Sequence, residues 1–298
     1  MAICRRARGD ITGSIPENGF RIDSRIGRWG ACAVVYFRIL GPLEVEDGGR
    51  SVVLRGTKPR VLLCALLTSP NDVVSTDTLA DWLWSRWPPP TASAIVQALV
   101  SRLRRALEPD RPPWTEARVL LRRPPGYMLR VDTDEVDALT FERMAAEGHR
   151  ALERGDAATA ARVLGEGLRL WRGRPLADVA LIEAAQVPIA RLEAQRLSTT
   201  VLRIDADLAL GRHVSLVPEL EGLVHHHPLD ERLGSQLMVA LYRCGRQADS
   251  LLVYERIRAT LAAELDIEPS PTSQRLREAI LAQDPALDDG GLPAGRAT

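Results

Sequence analysis

The segment AIVQALVSRLRRAL, residues 94–107, constrains the fold of this chain more than any other. Four of its apolar residues recur at spacings of four, three and four, which predicts an α-helix with one buried stripe. These residues are Val96, Val100, Leu103 and Leu107. The opposite side carries only small, amide and basic side chains before Glu108: Ala94, Gln97, Ala98, Ser101, Arg102 and Arg105, with Arg104 on the flank. Such a face suits contact with a nucleic acid. The alternative for a single basic helix is an exposed surface whose arginines are simply solvated, and this is the more common case.

Positive charge is concentrated around this helix. The formal net charge of the 298 residues is zero, yet residues 101–130 contain eight arginines and three acidic residues. A polyanion responds to such a local patch more than to the overall charge. The composition, 45% hydrophobic and 26% charged, is that of a globular protein of about two domains.

The sequence shows no sign of a membrane span or of a disulfide framework. The apolar run from Val61 to Leu67 is far shorter than the about 20 residues that cross a bilayer. The four cysteines share no CxxC spacing: Cys4, Cys32, Cys64 and Cys244. We therefore expect a cytoplasmic protein that does not contact membranes.

Residues 34–132 have the pattern of a winged helix-turn-helix. Three short β-type segments, YFRIL, LEVE and SVVL, come first. An apolar helix then starts near Pro59, a second helix is capped by Ser75, and three prolines at 88–90 end it before the basic helix. Finally RVLLRR and GYMLRV flank Pro124-Pro125-Gly126, which predicts a β-hairpin.

Residues 137–285 predict an all-α domain. Gly211 and Gly245 lie 34 residues apart in similar strings, LALGRH and LYRCGRQ, which is the spacing of tetratricopeptide helix pairs. Such pairs stack into an array with a concave surface that docks or dimerises proteins. Gly155 lies 56 residues before Gly211 and does not fit the period. Outside the two domains we expect a disordered or misassigned N-terminal extension and a disordered tail, residues 1–33 and 286–298.

Several motifs of the chain resemble one family of regulators. TKPRVLLCALL, VVSTDTLADWLW, VQALVSRLRRAL and RRPPGYML are similar to the OmpR-type output domain of response regulators, as it occurs in the Streptomyces antibiotic regulatory protein (SARP) family. FERMAAEGHRALERGD, LWRGRPLAD, HHHPLDERL and AELDIEPSP resemble that family's bacterial transcriptional activation domain. The resemblance covers about residues 35–285. It implies an α+β winged helix followed by an all-α tetratricopeptide-like domain.

The resemblance also implies roles for the exposed face of the basic helix. Base edges would be met by Gln97, Ala98 and Arg102, and phosphates by Ser101, Arg104 and Arg105. An arginine at position 102 suits bidentate binding to guanine. For Arg105 an ion pair with Glu108 or Asp110 on the protein surface remains an equal alternative.

The predicted wing departs from the family pattern. Where the family usually has Gly-Tyr-Arg, this chain has Met128, which lacks the charge and donors that enter a minor groove. Arg122, Arg123 or Arg130 would have to substitute, and simple solvation at the hairpin tip is the alternative.

The segment between the second and third helices corresponds to the loop through which similar activators touch RNA polymerase. Its candidate contact residues are Ser85, Arg86 and Trp87. Trp82 and Trp84 have the helical spacing of core residues instead.

No set of residues predicts catalysis, a cofactor or a metal. His225, His226 and His227 are consecutive, and neighbours on a helix point about 100° apart, so a solvated helix end is favoured. Gly165 and Gly167 follow no strand and lack the phosphate-loop signature. Serine, histidine and acidic residues form no recognisable catalytic motif.

Together these features predict a sequence-specific, DNA-binding transcriptional activator of a secondary-metabolite (antibiotic) gene cluster. By the resemblance it would bind promoter direct repeats as a homodimer and recruit the RNA polymerase holoenzyme. The alternative is a protein–protein interaction adaptor that uses its tetratricopeptide-like domain and binds little DNA. An enzyme is the least supported class.

Overall fold

The structure, a computed structural model, describes residues 35–287 apart from residues 86 and 113. The predicted N-terminal extension, residues 1–33, and most of the predicted tail lie outside the described residues. The described chain starts with three antiparallel strands in the order β1-β2-β3: β1 (Val35–Arg38), β2 (Glu44–Asp47) and β3 (Arg50–Ser51). Val35 pairs with Asp47, and Arg38 pairs with Glu44.

Three helices follow the sheet, as the sequence predicts: α1 (Thr57–Leu67), α2 (Thr76–Trp84) and α3 (Ala92–Leu107). Ser75 caps α2, because its hydroxyl accepts a hydrogen bond from the backbone N–H of Thr78 at 3.0 Å. The apolar stripe of α3 is buried in a core shared with α1 and α2, and Val96 and Leu103 have no exposed surface. The winged-helix prediction is confirmed.

The wing is a second antiparallel sheet in the order β4-β6-β5: β4 (Val73–Ser75), β5 (Leu120–Arg123) and β6 (Gly126–Leu129). The hairpin of β5 and β6 is the one predicted, whereas β4 has only three residues and shows no alternation in the sequence. At Gly126 an added Cβ would lie 1.9 Å from the carbonyl oxygen of Val74. Only glycine therefore allows β4 to approach β6 so closely.

Residues 137–282 form seven helices, and no helix in the described part of the chain is long and apolar enough to cross a bilayer. They are α4 (Asp137–Glu153), α5 (Ala157–Leu168), α6 (Gln186–Ala209), α7 (His213–His226), α8 (Glu231–Arg243), α9 (Gln247–Leu265) and α10 (Pro271–Ala282). Helices that follow each other along the chain pack together, most closely α4 with α5, α5 with α6, α7 with α8 and α8 with α9. The turns after α4, α6 and α8 each contain a glycine with a left-handed backbone, namely Gly155, Gly211 and Gly245 with φ of 74°, 73° and 73°.

Gly155 thus lies in the turn between α4 and α5, although its spacing does not fit the period. The extra length lies between α5 and α6, in residues 169–185, which contain two short 3-10 turns. Trp171, Leu176 and Val179 from this insertion are buried in the same hydrophobic core as Phe37 of β1. The insertion breaks the repeat because it packs against the winged helix.

Buried polar contacts reinforce this junction. The Asp137 carboxylate at the start of α4 accepts hydrogen bonds from the backbone N–H groups of Ile39 and Leu40, at 2.8 and 3.0 Å. Burial raises the pKa of this carboxyl more than these bonds and nearby Arg172 lower it. The cost of burying the ionised group is therefore offset only in part, but its removal would leave two buried donors without a partner.

The second end of the junction is held by Asp178 of the insertion. Its carboxylate accepts a hydrogen bond from the Leu43 backbone N–H and binds the Arg60 guanidinium of α1. Because both carboxylates and a continuous core cross from one part to the other, the described residues belong to one compact unit.

The helical part reaches Leu287, two residues beyond the expected end. Leu287 is buried against the core of α7 to α10, and its carbonyl accepts a hydrogen bond from Nε of Arg243 at 2.7 Å. Within the same core α8 is buried at every position from Leu233 to Leu241. Within residues 35–287 as described, the stacked helices therefore leave no open groove along α8.

We expect Asp137→Ala to lower the free energy of unfolding by about 2–4 kcal/mol, because it leaves the N–H groups of Ile39 and Leu40 buried and unpaired. Urea denaturation followed by circular dichroism measures this loss. The control is Asp134→Ala, which removes a 78% exposed partner of Arg143 and should cost less than about 1 kcal/mol. Equal losses in the two variants would contradict the role given to Asp137.

Candidate nucleic-acid interface

The side of α3 opposite its buried stripe is open to solvent. The structure brings the small, amide and basic residues of this side together on one exposed face: Ala94, Gln97, Ala98, Ser101, Arg102 and Arg105. The Ser101 hydroxyl donates to the Gln97 carbonyl at 3.0 Å, and Nε of Arg105 lies 3.4 Å from the Ser101 carbonyl. Among the described residues, the neighbours of this face lie in the segment before α1 and in the first turn of α1.

Two further basic residues lie beside this face. A shallow cavity of about 540 Å³ separates α3 from the start of α1, and it is lined by Arg55, Lys58, Ala98 and Arg102 among others. Nη2 of Arg102 is 3.5 Å from the Arg55 carbonyl, which is a weak contact, and the side chains of Arg55 and Lys58 are exposed. The sequence did not single out these two residues, because only the fold places the start of α1 next to α3.

Arg104 has a different environment from the other arginines of α3. It is half-buried, and its Nε donates a hydrogen bond to the Leu120 carbonyl of β5 at 2.9 Å. Desolvation lowers the pKa of this guanidinium. Arg104 thus contacts the wing, and its approach to a phosphate stays a prediction.

The carboxylate of Glu108, at the end of α3, contacts residues other than Arg105. Its Oε1 accepts from the backbone N–H groups of Arg118 and Val119, at 2.6 and 3.2 Å. Its Oε2 lies 3.6 Å from Nε of Arg111. Across the ion pairs recorded for the described residues, none joins Arg105 to Glu108 or Asp110. Arg105 therefore keeps its charge available at the exposed face.

The wing presents its basic residues at the end of β5. Arg122 and Arg123 are exposed and directly precede the turn at Pro124-Pro125. Met128 is half-buried in the central strand β6, where it pairs with Val73 and with Leu121. Arg130 is exposed beyond the strand.

The tryptophans at the end of α2 are buried or partly buried, whereas the loop that follows is exposed. Trp82 is buried and Trp84 is partly buried with the Lys58 ammonium 4.8 Å from its ring centre, as expected for core residues. Trp87 is 86% exposed, and Ser85 is exposed as well. Arg86 lies outside the described residues.

The remaining candidates for chemistry are placed as follows. His225 to His227 are exposed at the end of α7, and Nδ1 of His226 lies 2.7 Å from the Gly222 carbonyl. Burial raises the pKa of the Cys64 thiol to about 12, so that it stays protonated. Among the described residues no cluster of His, Cys, Asp and Glu is arranged to hold a metal ion.

Family models match both parts of the chain. Residues 49–129 match the C-terminal domain of transcriptional regulatory proteins, and residues 136–281 match the bacterial transcriptional activator domain. The first range runs from β3 to β6 of the winged helix, without β1 and β2, and the second runs from α4 into α10.

Individual relatives match over most of the chain. The regulatory protein DnrI of Streptomyces peucetius is 38% identical over 85% of this chain and 94% of its own length. The regulatory protein AfsR of Streptomyces griseus is 37% identical over 84% of this chain, which spans only 25% of AfsR. A solved structure of Mycobacterium tuberculosis EmbR, in complex with a low affinity phosphopeptide, superposes with a TM-score of 0.80 at 34% identity. It covers 87% of this chain and 68% of that one.

These relatives are regulators of transcription. The two domain models occur in the same order as the winged helix and the helical array, and DnrI is matched almost from end to end. The chain therefore belongs to the SARP family of transcriptional regulators, with an OmpR-type winged helix followed by a bacterial transcriptional activator domain.

Proposed function

We propose that this chain is a sequence-specific DNA-binding activator whose helix α3 enters the major groove of promoter direct repeats. The proposal is supported by the exposed face of α3, whose small and basic side chains lie in solvent beside Arg55 and Lys58. Helices of this diameter fit the major groove, and small residues let the backbone approach base edges.

The exposed face divides into base-reading and phosphate-binding residues. Arg102 suits a guanine, Gln97 suits an adenine, and Ala98 allows close approach. Phosphates would be bound by residues nearer the rim of the groove: Ser101, Arg105, Arg55, Lys58, Arg122 and Arg123. Arg104 would bind a phosphate through its Nη groups while its Nε donates to the Leu120 carbonyl of the wing.

We propose that the regulated genes form a secondary-metabolite (antibiotic) cluster, as membership of the SARP family suggests. Two copies of the chain would occupy neighbouring direct repeats as a homodimer. The exposed loop at Ser85 and Trp87 would contact the RNA polymerase holoenzyme, and Arg86 belongs to the same loop. The adaptor alternative is less well supported, because α8 is enclosed and leaves the array without an open groove at that helix.

Arg102→Ala should weaken binding to the preferred repeat by roughly five- to 150-fold, because a bidentate guanine contact contributes about 1–3 kcal/mol. Binding to unrelated duplexes should hardly change. Selection of bound duplexes from a random pool, followed by fluorescence anisotropy, measures both effects. The control is Arg162→Ala on α5, far from the interface, which removes an exposed pair with Glu166. Unchanged base preference in Arg102→Ala would remove the assignment.

Lys58→Gln should weaken all duplexes alike. If Lys58 neutralises one phosphate, the slope of log K against log salt should become less steep by about 0.9. Titrations between 50 and 200 mM salt, roughly the range in which such slopes are defined, give this number. A slope equal to that of the unsubstituted protein would place Lys58 outside the interface.

Trp87→Ala should separate DNA binding from activation. The side chain is 86% exposed and lies outside the α3 face, so affinity for the repeat should stay within about twofold. Run-off transcription with RNA polymerase should fall several-fold, since exposed aromatic residues anchor protein contacts. Full activation by this variant would contradict the proposed polymerase contact.

A further inference from the structure

The end of the recognition helix α3 is tied to the strand that carries the wing arginines. Oε1 of Glu108 accepts hydrogen bonds from two consecutive backbone N–H groups, those of Arg118 at 2.6 Å and Val119 at 3.2 Å. Nε of Arg104 donates to the carbonyl of the next residue, Leu120, at 2.9 Å. Arg104 of α3 and its C-cap residue Glu108 thus hold three successive residues, the last of which begins β5.

The spacing of the two side chains suits this arrangement. Arg104 lies in the last turn of α3 and Glu108 is the residue that caps its C-terminus, where the Glu108 N–H still donates to the Arg104 carbonyl at 2.9 Å. In the described part of the chain β5 is the edge strand of its sheet, and Arg104 donates to the Leu120 carbonyl of that strand. One side chain supplies an acceptor and the other a donor, which matches the backbone groups that they meet.

Both side chains are shielded enough for these bonds to matter. The Glu108 side chain is 11% exposed and is also neutralised by Arg111 at 3.6 Å. The Arg104 guanidinium is half-buried, and desolvation lowers its pKa. Hydrogen bonds of charged groups are stronger than neutral ones and are weakened less by solvent when partly buried.

The anchored residues lie next to the basic end of the wing. Arg122 is two residues beyond Leu120, which is about 7 Å along an extended strand. The wing arginines therefore keep a fixed offset from Arg102 and Arg105, which stand on the same helix as the anchors.

We propose that Glu108 and Arg104 are positioning residues that couple the DNA contacts of the wing to those of α3. The inference rests on the proposed function. Neither the Glu108 carboxylate nor the Arg104 Nε needs to touch DNA for this role, because each acts through the backbone of residues 118–120. A wing that is held in place before binding loses less conformational entropy on the duplex, so its arginines contribute more to affinity.

A double-mutant cycle tests the coupling. The wing variant Arg122→Ala/Arg123→Ala is combined with Glu108→Ala, and dissociation constants are measured on a promoter repeat duplex. We expect the wing substitutions to cost about tenfold in the unsubstituted protein and less than about threefold in the Glu108→Ala background. An equal fold loss in both backgrounds overturns the proposal.

Two further variants separate positioning from folding. Arg104→Met keeps the apolar stem but removes the donor to Leu120, and it should uncouple the wing as Glu108→Ala does. Glu108→Gln keeps an acceptor for the two N–H groups and should retain most of the coupling. The matched control is Glu166→Ala, an exposed carboxylate on α5, in which the wing substitutions should still cost about tenfold. Thermal unfolding of each protein shows whether it is folded.

If Glu108→Ala does not fold, the cycle with Arg104→Met decides, and additivity there also overturns the proposal. Hydroxyl-radical footprints give a second readout: loss of protection at the wing alone, with protection at α3 retained, supports the coupling. If the unsubstituted protein binds no repeat duplex, the proposed function fails. If it binds and the cycle is additive, only the positioning role fails.

Discussion

Burial of one apolar stripe of α3 sets the orientation of this helix in the winged helix. Val96, Val100 and Leu103 pack into the core of the winged helix with almost no exposed surface. Burying each such side chain stabilises the fold by about 1.5–3 kcal/mol, so rotation of the helix about its axis is strongly disfavoured. The opposite face therefore remains in solvent, and Gln97 and Arg102 are presented outward by the packing of other residues.

Hydrogen bonds and buried side chains join α3 to the rest of the compact unit. The wing is fixed to α3 by Arg104 and Glu108, and the sheet of β1 to β3 is fixed to the helical array by Asp137 and Asp178. A hydrophobic core continues through Phe37 into the insertion before α6. The exposed face of α3 is thus a rigid part of a larger body.

Local patterns made much of this fold predictable. The helical spacing of apolar residues predicts α3, Ser75 as a cap predicts the start of α2, and the turn residues around Pro124 predict the hairpin of the wing. Contacts between distant segments were not predictable, because they leave no local signature. The hydrogen bond from the Ile39 N–H to Asp137 joins residues that are 98 positions apart in the sequence. The turn glycine Gly155 does not fit the 34-residue period of the later turns, because the insertion of residues 169–185, which packs against the winged helix, lies between them. Arg55 and Lys58 at the interface belong to this second class.

If the exposed face of α3 reads base edges in the major groove, binding depends on the accessible N7 edge of guanine. Methylation interference measures this dependence, because a methyl group on guanine N7 blocks the major-groove edge that an arginine binds. We expect methylation of guanines at the same place in each promoter repeat to abolish binding. Binding that tolerates methylation at every guanine N7, and is blocked only by modification of the minor groove, would contradict it.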